Sequence, residues 1–177
     1  MTVTLDEGKL RFEFDAGTRA QRWDGTDAYR RGLGQMAGTK AVDLCWWCGS
    51  GGGLLEVTNY LDKKPPPIEK LAREAGEKFR DTVAGMAWFC QRSISKRPAH
   101  EFVRRFIDPS LGEKLLLALW FEADVPVEAE EAGFLEGAIS DFMRPWLVAR
   151  VVVTNRKLFS SNRARLLGLE SVTSLGR

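Results

Sequence analysis

Lys40-Ala-Val-Asp-Leu-Cys-Trp-Trp-Cys-Gly-Ser-Gly-Gly-Gly-Leu-Leu-Glu-Val-Thr-Asn-Tyr60 is the stretch on which the fold turns. Two apolar runs, 40–47 and 54–60, flank the turn-forming residues Gly49 to Gly53, which is a hairpin signal. Each run carries one carboxylate among apolar neighbours, Asp43 in the first and Glu56 in the second. Carboxylates are rarely buried unless something positive meets them, so the pair marks a candidate site. With the turn centred near Gly51, Asp43 stands opposite Thr58 and Cys45 opposite Glu56. Asp43 and Glu56 then form a diagonal pair on one face. Two carboxylates, a backbone carbonyl and several waters suit a hard octahedral cation such as Mg²⁺. Such an ion activates water and neutralises charge building on a phosphate. The competing reading is two acids at strand ends, exposed or paired with Lys40 or Arg80.

Outward from the hairpin, Lys9 to Asp15 alternates apolar and polar residues, as a half-buried strand does, and Trp23 to Leu33 carries a short helical pattern. Pro65-Pro66-Pro67 forbids regular structure and precedes a long amphipathic helix, with Ile68, Leu71, Ala75, Phe79, Val83, Met86 and Cys90 on one stripe. A basic segment 92–105 follows, then an apolar strand 114–122, a helix 128–143 and a valine-rich strand 146–154. The tail 166–175 supplies a short final strand. Strands 114–122 and 146–154 are continuous apolar runs, which suits a sheet covered on both faces. These elements predict one α/β domain over 1–177, a mixed central β-sheet flanked by helices. Trp46, Trp47, Trp88, Trp120 and Trp146 sit in apolar surroundings and are expected in the core.

The chain has 177 residues, enough for a proper core, with 44% hydrophobic and 28% charged residues. Its formal net charge of +2 creates no global field, so any nucleic-acid contact must come from local patches. Arg92, Lys96, Arg97, Arg104 and Arg105 form one such patch, and Arg156, Lys157, Arg163 and Arg165 another. No basic-then-apolar leader opens the sequence, and no apolar run approaches the ~20 residues a membrane helix needs. Three cysteines, an odd number, fit a reducing compartment. The expectation is a cytoplasmic protein without a membrane partner.

The run Lys40-Ala-Val-Asp-Leu44, a turn, then Leu54-Leu-Glu-Val-Thr-Asn-Tyr60, resembles the acid, spacer, Glu-x-Lys core of the PD-(D/E)xK (restriction-endonuclease-like) nuclease superfamily. It is especially similar to small bacterial members whose following helix carries Lys-x-Arg-Asp-Thr, here Lys78-Phe-Arg80-Asp81-Thr82. The likeness covers roughly the first half of the chain, with weaker agreement in 114–122. It implies a restriction-endonuclease-like core and a Mg²⁺- or Mn²⁺-dependent nuclease, with Asp43, Glu56 and the Val57 carbonyl as metal ligands. Asp24 or Asp27 would assist.

One position departs from the pattern. Where the family has its lysine, this chain has Thr58, which offers a hydrogen bond but no charge. Losing a preorganised electrostatic contact of that kind costs ~10²–10³ in rate. Some superfamily members carry the lysine on the next helix, which makes Lys78 the candidate replacement; its alternative is an exposed lysine pairing with Glu74 or Glu77. Lys40, Lys63 and Lys64 have less geometric support. Two function classes follow: a nuclease using Lys78, on DNA ahead of RNA, or a degenerate nuclease fold that binds nucleic acid or a partner protein. A homodimer fits either.

Cys45-Trp-Trp-Cys48-Gly49 opens a rival reading. With Cys90 and His100 it would complete a Cys₃His zinc set, although zinc knuckles place both cysteines in a turn and Cys45 sits in a strand.

Overall fold

A computed structural model describes residues 2–49, 51–92, 98–106 and 115–175. In chain order the elements are β1 (Val3–Glu7), β2 (Leu10–Phe14), β3 (Arg19–Arg22), α1 (Asp27–Arg30), β4 (Leu44–Cys48), β5 (Gly51–Tyr60) and α2 (Ile68–Arg92). There follow α3 (Pro98–Phe106), β6 (Leu115–Ala123), α4 (Ala129–Met143), β7 (Arg150–Thr154), α5 (Ser161–Leu167) and β8 (Leu169–Ser174). Two sheets form. A five-stranded mixed sheet has the order β3-β4-β5-β6-β7, and a three-stranded antiparallel sheet the order β1-β2-β8. In the larger sheet β3/β4 and β4/β5 are antiparallel, whereas β5/β6 and β6/β7 are parallel.

The mixed sheet matches the expectation; what covers it differs. One face packs against α2, α3 and α4, where Phe79, Met86, Phe102, Leu135 and Ile139 meet Leu54, Leu117, Leu119 and Val153. The other face is covered by the small sheet rather than by helices. Phe12 and Phe14 pack there on Trp46, Leu55, Leu116, Trp120 and Val152. The Phe12 ring meets Trp120 edge-on at 5.4 Å. Covered on both sides, all nine residues of β6 are buried, which accounts for its unbroken apolar run. The small sheet grows from the alternation of Leu10, Phe12 and Phe14, closed back on Val3 and Leu5 through Gly8 at φ 58. The tail is a helix before it is a strand: Gly168, at φ 62, ends α5 and releases β8 to pair with β2.

The hairpin register also differs. Cys48 pairs with Gly51, so the reversal falls between them and Gly51, Gly52 and Gly53 belong to β5. The cause lies across the strand. Trp46 pairs with Gly53 and Trp47 with Gly52. A Cβ on Gly53 would come 2.1 Å from the Trp46 ring, and one on Gly52 2.5 Å from Trp47. The indoles occupy the space the glycines leave, so these glycines serve packing rather than the turn. Trp23 and Trp120 are fully buried as well, but Trp146, expected inside, is 65% exposed. No described helix is long and apolar enough to cross a membrane.

Candidate functional site

Asp43 lies in a bend just before β4 rather than within a strand. Leu44 pairs with Leu55, and one step further the same register sets Asp43 directly across from Glu56. The expected pairings with Thr58 and of Cys45 with Glu56 are therefore two residues out. An even slip keeps every side chain on its own face, so both carboxylates still share the face that looks at α2. The Asp43 Oδ2 accepts the Val57 N–H at 2.7 Å, and its carbonyl accepts the Trp23 N–H at 2.9 Å. An extended residue sends its N–H and C=O to the same side. The Val57 carbonyl thus also faces the Asp43 edge.

Glu56 is 4% exposed. Its Oε1 accepts a hydrogen bond from the Lys78 ammonium, and among the described residues no donor reaches its buried Oε2. Burial, reinforced by the charge of Asp43 and opposed by Lys78, pushes its carboxyl up to about 8. Asp43 is also raised by burial, although the Val57 N–H and Lys78 pull the other way. Burial works against the Lys78 ammonium, but Glu56, Asp43 and Glu7 outweigh it and hold its affinity for a proton above the ordinary value. The lysine comes from the middle of α2 and reaches back to the sheet instead of pairing with Glu74 or Glu77. Thr58, two residues beyond Glu56, is half-buried and lines, with Glu56, Tyr60, Lys63, Glu74 and Lys78, an open cavity of about 250 Å³.

The other candidates separate clearly. Lys40 binds Glu77 at 2.8 Å, Lys63 lies over the Tyr60 ring at 4.7 Å, and Lys64 is exposed. Asp24 sits 3.5 Å from Arg22 and raises Asp43 through its charge, whereas Asp27 is exposed and pairs with Arg31. Two residues escaped the sequence reading, Glu7 and Arg22. Arg22 Nη2 lies 2.7 Å from the Glu7 Oε2 without hydrogen-bond alignment, so among the described residues that oxygen has no aligned donor. Burial raises Glu7, with Asp43 next, while Arg22 and, less, Lys78 oppose, which places a third acid within the field of the pair. The sequence signal for Glu7 is the Glu7-Gly8 turn that joins β1 to β2.

Among the described residues, no three His, Cys, Asp or Glu side chains converge as a ligand set for a metal. A cation here would rest on two carboxylates, main chain and water. Those hard oxygens, with the orphaned Glu56 Oε2 among them, suit Mg²⁺ or Mn²⁺. The zinc reading fares worse. Cys45 and Cys48 are three apart on β4, so strand alternation sends their thiols to opposite faces. Cys45 is fully buried with its S–H toward the Gln21 carbonyl, and Cys90 is on α2. The side chain of His100 lies outside the described residues, as do Lys96 and Arg97.

The second basic patch is partly engaged internally. Arg156 contacts Glu122 and Ser174, Lys157 contacts Glu128, and Arg163 donates to the Val153 carbonyl. On α3, Arg105 lies over Trp47 at 5.4 Å. Comparison of the chain with protein-family models, curated proteins and solved structures gives no match.

Proposed function

We propose that the chain is a PD-(D/E)xK-like nuclease that hydrolyses nucleic-acid phosphodiesters, DNA ahead of RNA, with Asp43, Glu56 and the Val57 carbonyl as ligands of Mg²⁺ or Mn²⁺. The bound ion would supply a water of lowered pKa and charge neutralisation at the phosphate. Lys78 would provide the positive charge that Thr58 lacks, and Thr58 a hydroxyl on the same cavity wall. The observation that carries this reading is the Lys78 ammonium on Glu56, beside Asp43, with the second Glu56 oxygen buried and met by no donor among the described residues. A buried acid raised to about 8 weakens a fold, and such groups cluster where chemistry needs them. The antiparallel hairpin followed by two parallel strands also fits a restriction-endonuclease-like core.

A second reading has its own support. The Lys78 ammonium already supplies Glu56 with an internal cation, as a degenerate site that no longer cuts would have, leaving a nucleic-acid-binding or protein-interaction subunit. One experiment separates them. The purified protein is incubated with single- and double-stranded DNA and RNA plus Mg²⁺ or Mn²⁺, beside Asp43→Ala and Thr58→Lys. The nuclease reading expects metal-dependent cleavage that Asp43→Ala lowers at least ~10²-fold. An inert parent with an active Thr58→Lys identifies the silenced fold. Inertness of both, with no Mn²⁺ bound, refutes the metal site.

A further inference from the structure

Asp43 stands outside the strand ladder, since β4 begins only at Leu44, yet its carboxylate is held on the Val57 N–H. The segment before it is fastened by side chains of α2. Asp81 Oδ2 accepts the Lys40 N–H at 3.0 Å, and Thr82 Oγ1 accepts the Val42 N–H at 3.0 Å. Alternate amides of the segment that leads into β4 thus bond to a helix. Glu77 adds the Lys40 ammonium, and Arg80 fixes Asp81 through its other oxygen at 2.7 Å. Thr82 is fully buried and Asp81 9% exposed.

Lys78, Asp81 and Thr82 are spaced i, i+3, i+4 and so lie on one face of the helix. One turn of α2 therefore grips both acids of the pair. Lys78 holds Glu56, and Asp81 with Thr82 hold the backbone that delivers Asp43. We propose that Asp81 and Thr82 are positioning residues for the Asp43 carboxylate, acting through the amides of Lys40 and Val42. What that position serves rests on the nuclease reading; the positioning itself does not.

The test compares Thr82→Val, which keeps shape and removes the acceptor, with Thr82→Ser, which restores it. Amide hydrogen exchange at Val57 reports the Asp43 contact, and exchange at Leu117 and Leu119 in β6 reports overall stability. A merely structural loss speeds all three alike. Positioning expects Val57 alone to quicken by about 10-fold in Thr82→Val and to recover in Thr82→Ser. Asp81→Ala, which removes the acceptor of the Lys40 N–H, serves as the second variant and should shift Val57 in the same direction. Mn²⁺ affinity, read from the free-ion resonance, should fall about 10-fold alongside. Selective quickening at Val57 in a protein that binds no Mn²⁺ upholds the positioning and removes the metal. Val57 exchange that tracks Leu117 and Leu119 in both variants overturns the proposal.

Discussion

Replacing Glu56 with glutamine should make the metal-free protein more stable, and the size of the gain follows from the site. An unfolded glutamate gives up its proton near 4.5, whereas in the fold burial beside Asp43 holds it to about 8. Because the folded value lies above the unfolded one, the folded state keeps a proton that the unfolded chain releases. The penalty is absent below about pH 4.5, grows through the interval, and is complete above about pH 8. Each pH unit in that interval costs about 1.4 kcal/mol, which by pH 7 amounts to about 3 kcal/mol.

The glutamine amide mimics the protonated acid. Its oxygen can still accept from Lys78, and its NH₂ replaces the orphaned Oε2 with a donor facing Asp43. At about 2–4 °C per kcal/mol for a chain of this size, Tm at pH 7 should rise by roughly 6–12 °C. Thermal unfolding in chelator from pH 5 to 9 is the assay. The parent should lose stability as pH rises, and Glu56→Gln should be nearly flat. Added Mn²⁺ should raise the parent's Tm more at pH 8 than at pH 6, because the ion competes with the proton. A parent whose Tm stays level or climbs from pH 5.5 to 8, or a glutamine variant less stable than the parent, would refute the strained carboxylate pair.

On the nuclease reading, Lys78→Met should lower metal-dependent cleavage ~10²-fold or more, and adding Thr58→Lys should restore part of it, since both positions line one cavity; a double variant as inert as Lys78→Met would show that the positions are not interchangeable. Gly53→Ala drives a Cβ to 2.1 Å from the Trp46 ring and should cost about 1–3 kcal/mol in thermal unfolding, whereas Gly49→Ala, with nothing within 4 Å, should stay within about 0.5 kcal/mol of the parent.

The sequence by itself determined the strands and helices that carry strong periodicity. The alternation at Leu10, Phe12 and Phe14, the apolar β6 and β7, and the α2 stripe each follow from local pattern. It also placed Asp43 and Glu56 on one face, and that survived the wrong register because an even slip changes partners without changing faces. Lys78 stood out through the resemblance, which allows the missing lysine to sit on the helix after the hairpin. Tertiary structure decided the rest. The register depends on Trp46 and Trp47 filling the space over Gly53 and Gly52, a cross-strand contact that turn preferences do not encode. The second cover of the sheet needed β8 to return to β2 from the far end of the chain. Glu7 and Arg22 come from the β1–β2 hairpin and β3, and the grip of Asp81 and Thr82 spans about forty residues. Such contacts depend on how whole elements pack, and a local window holds only one of the two partners.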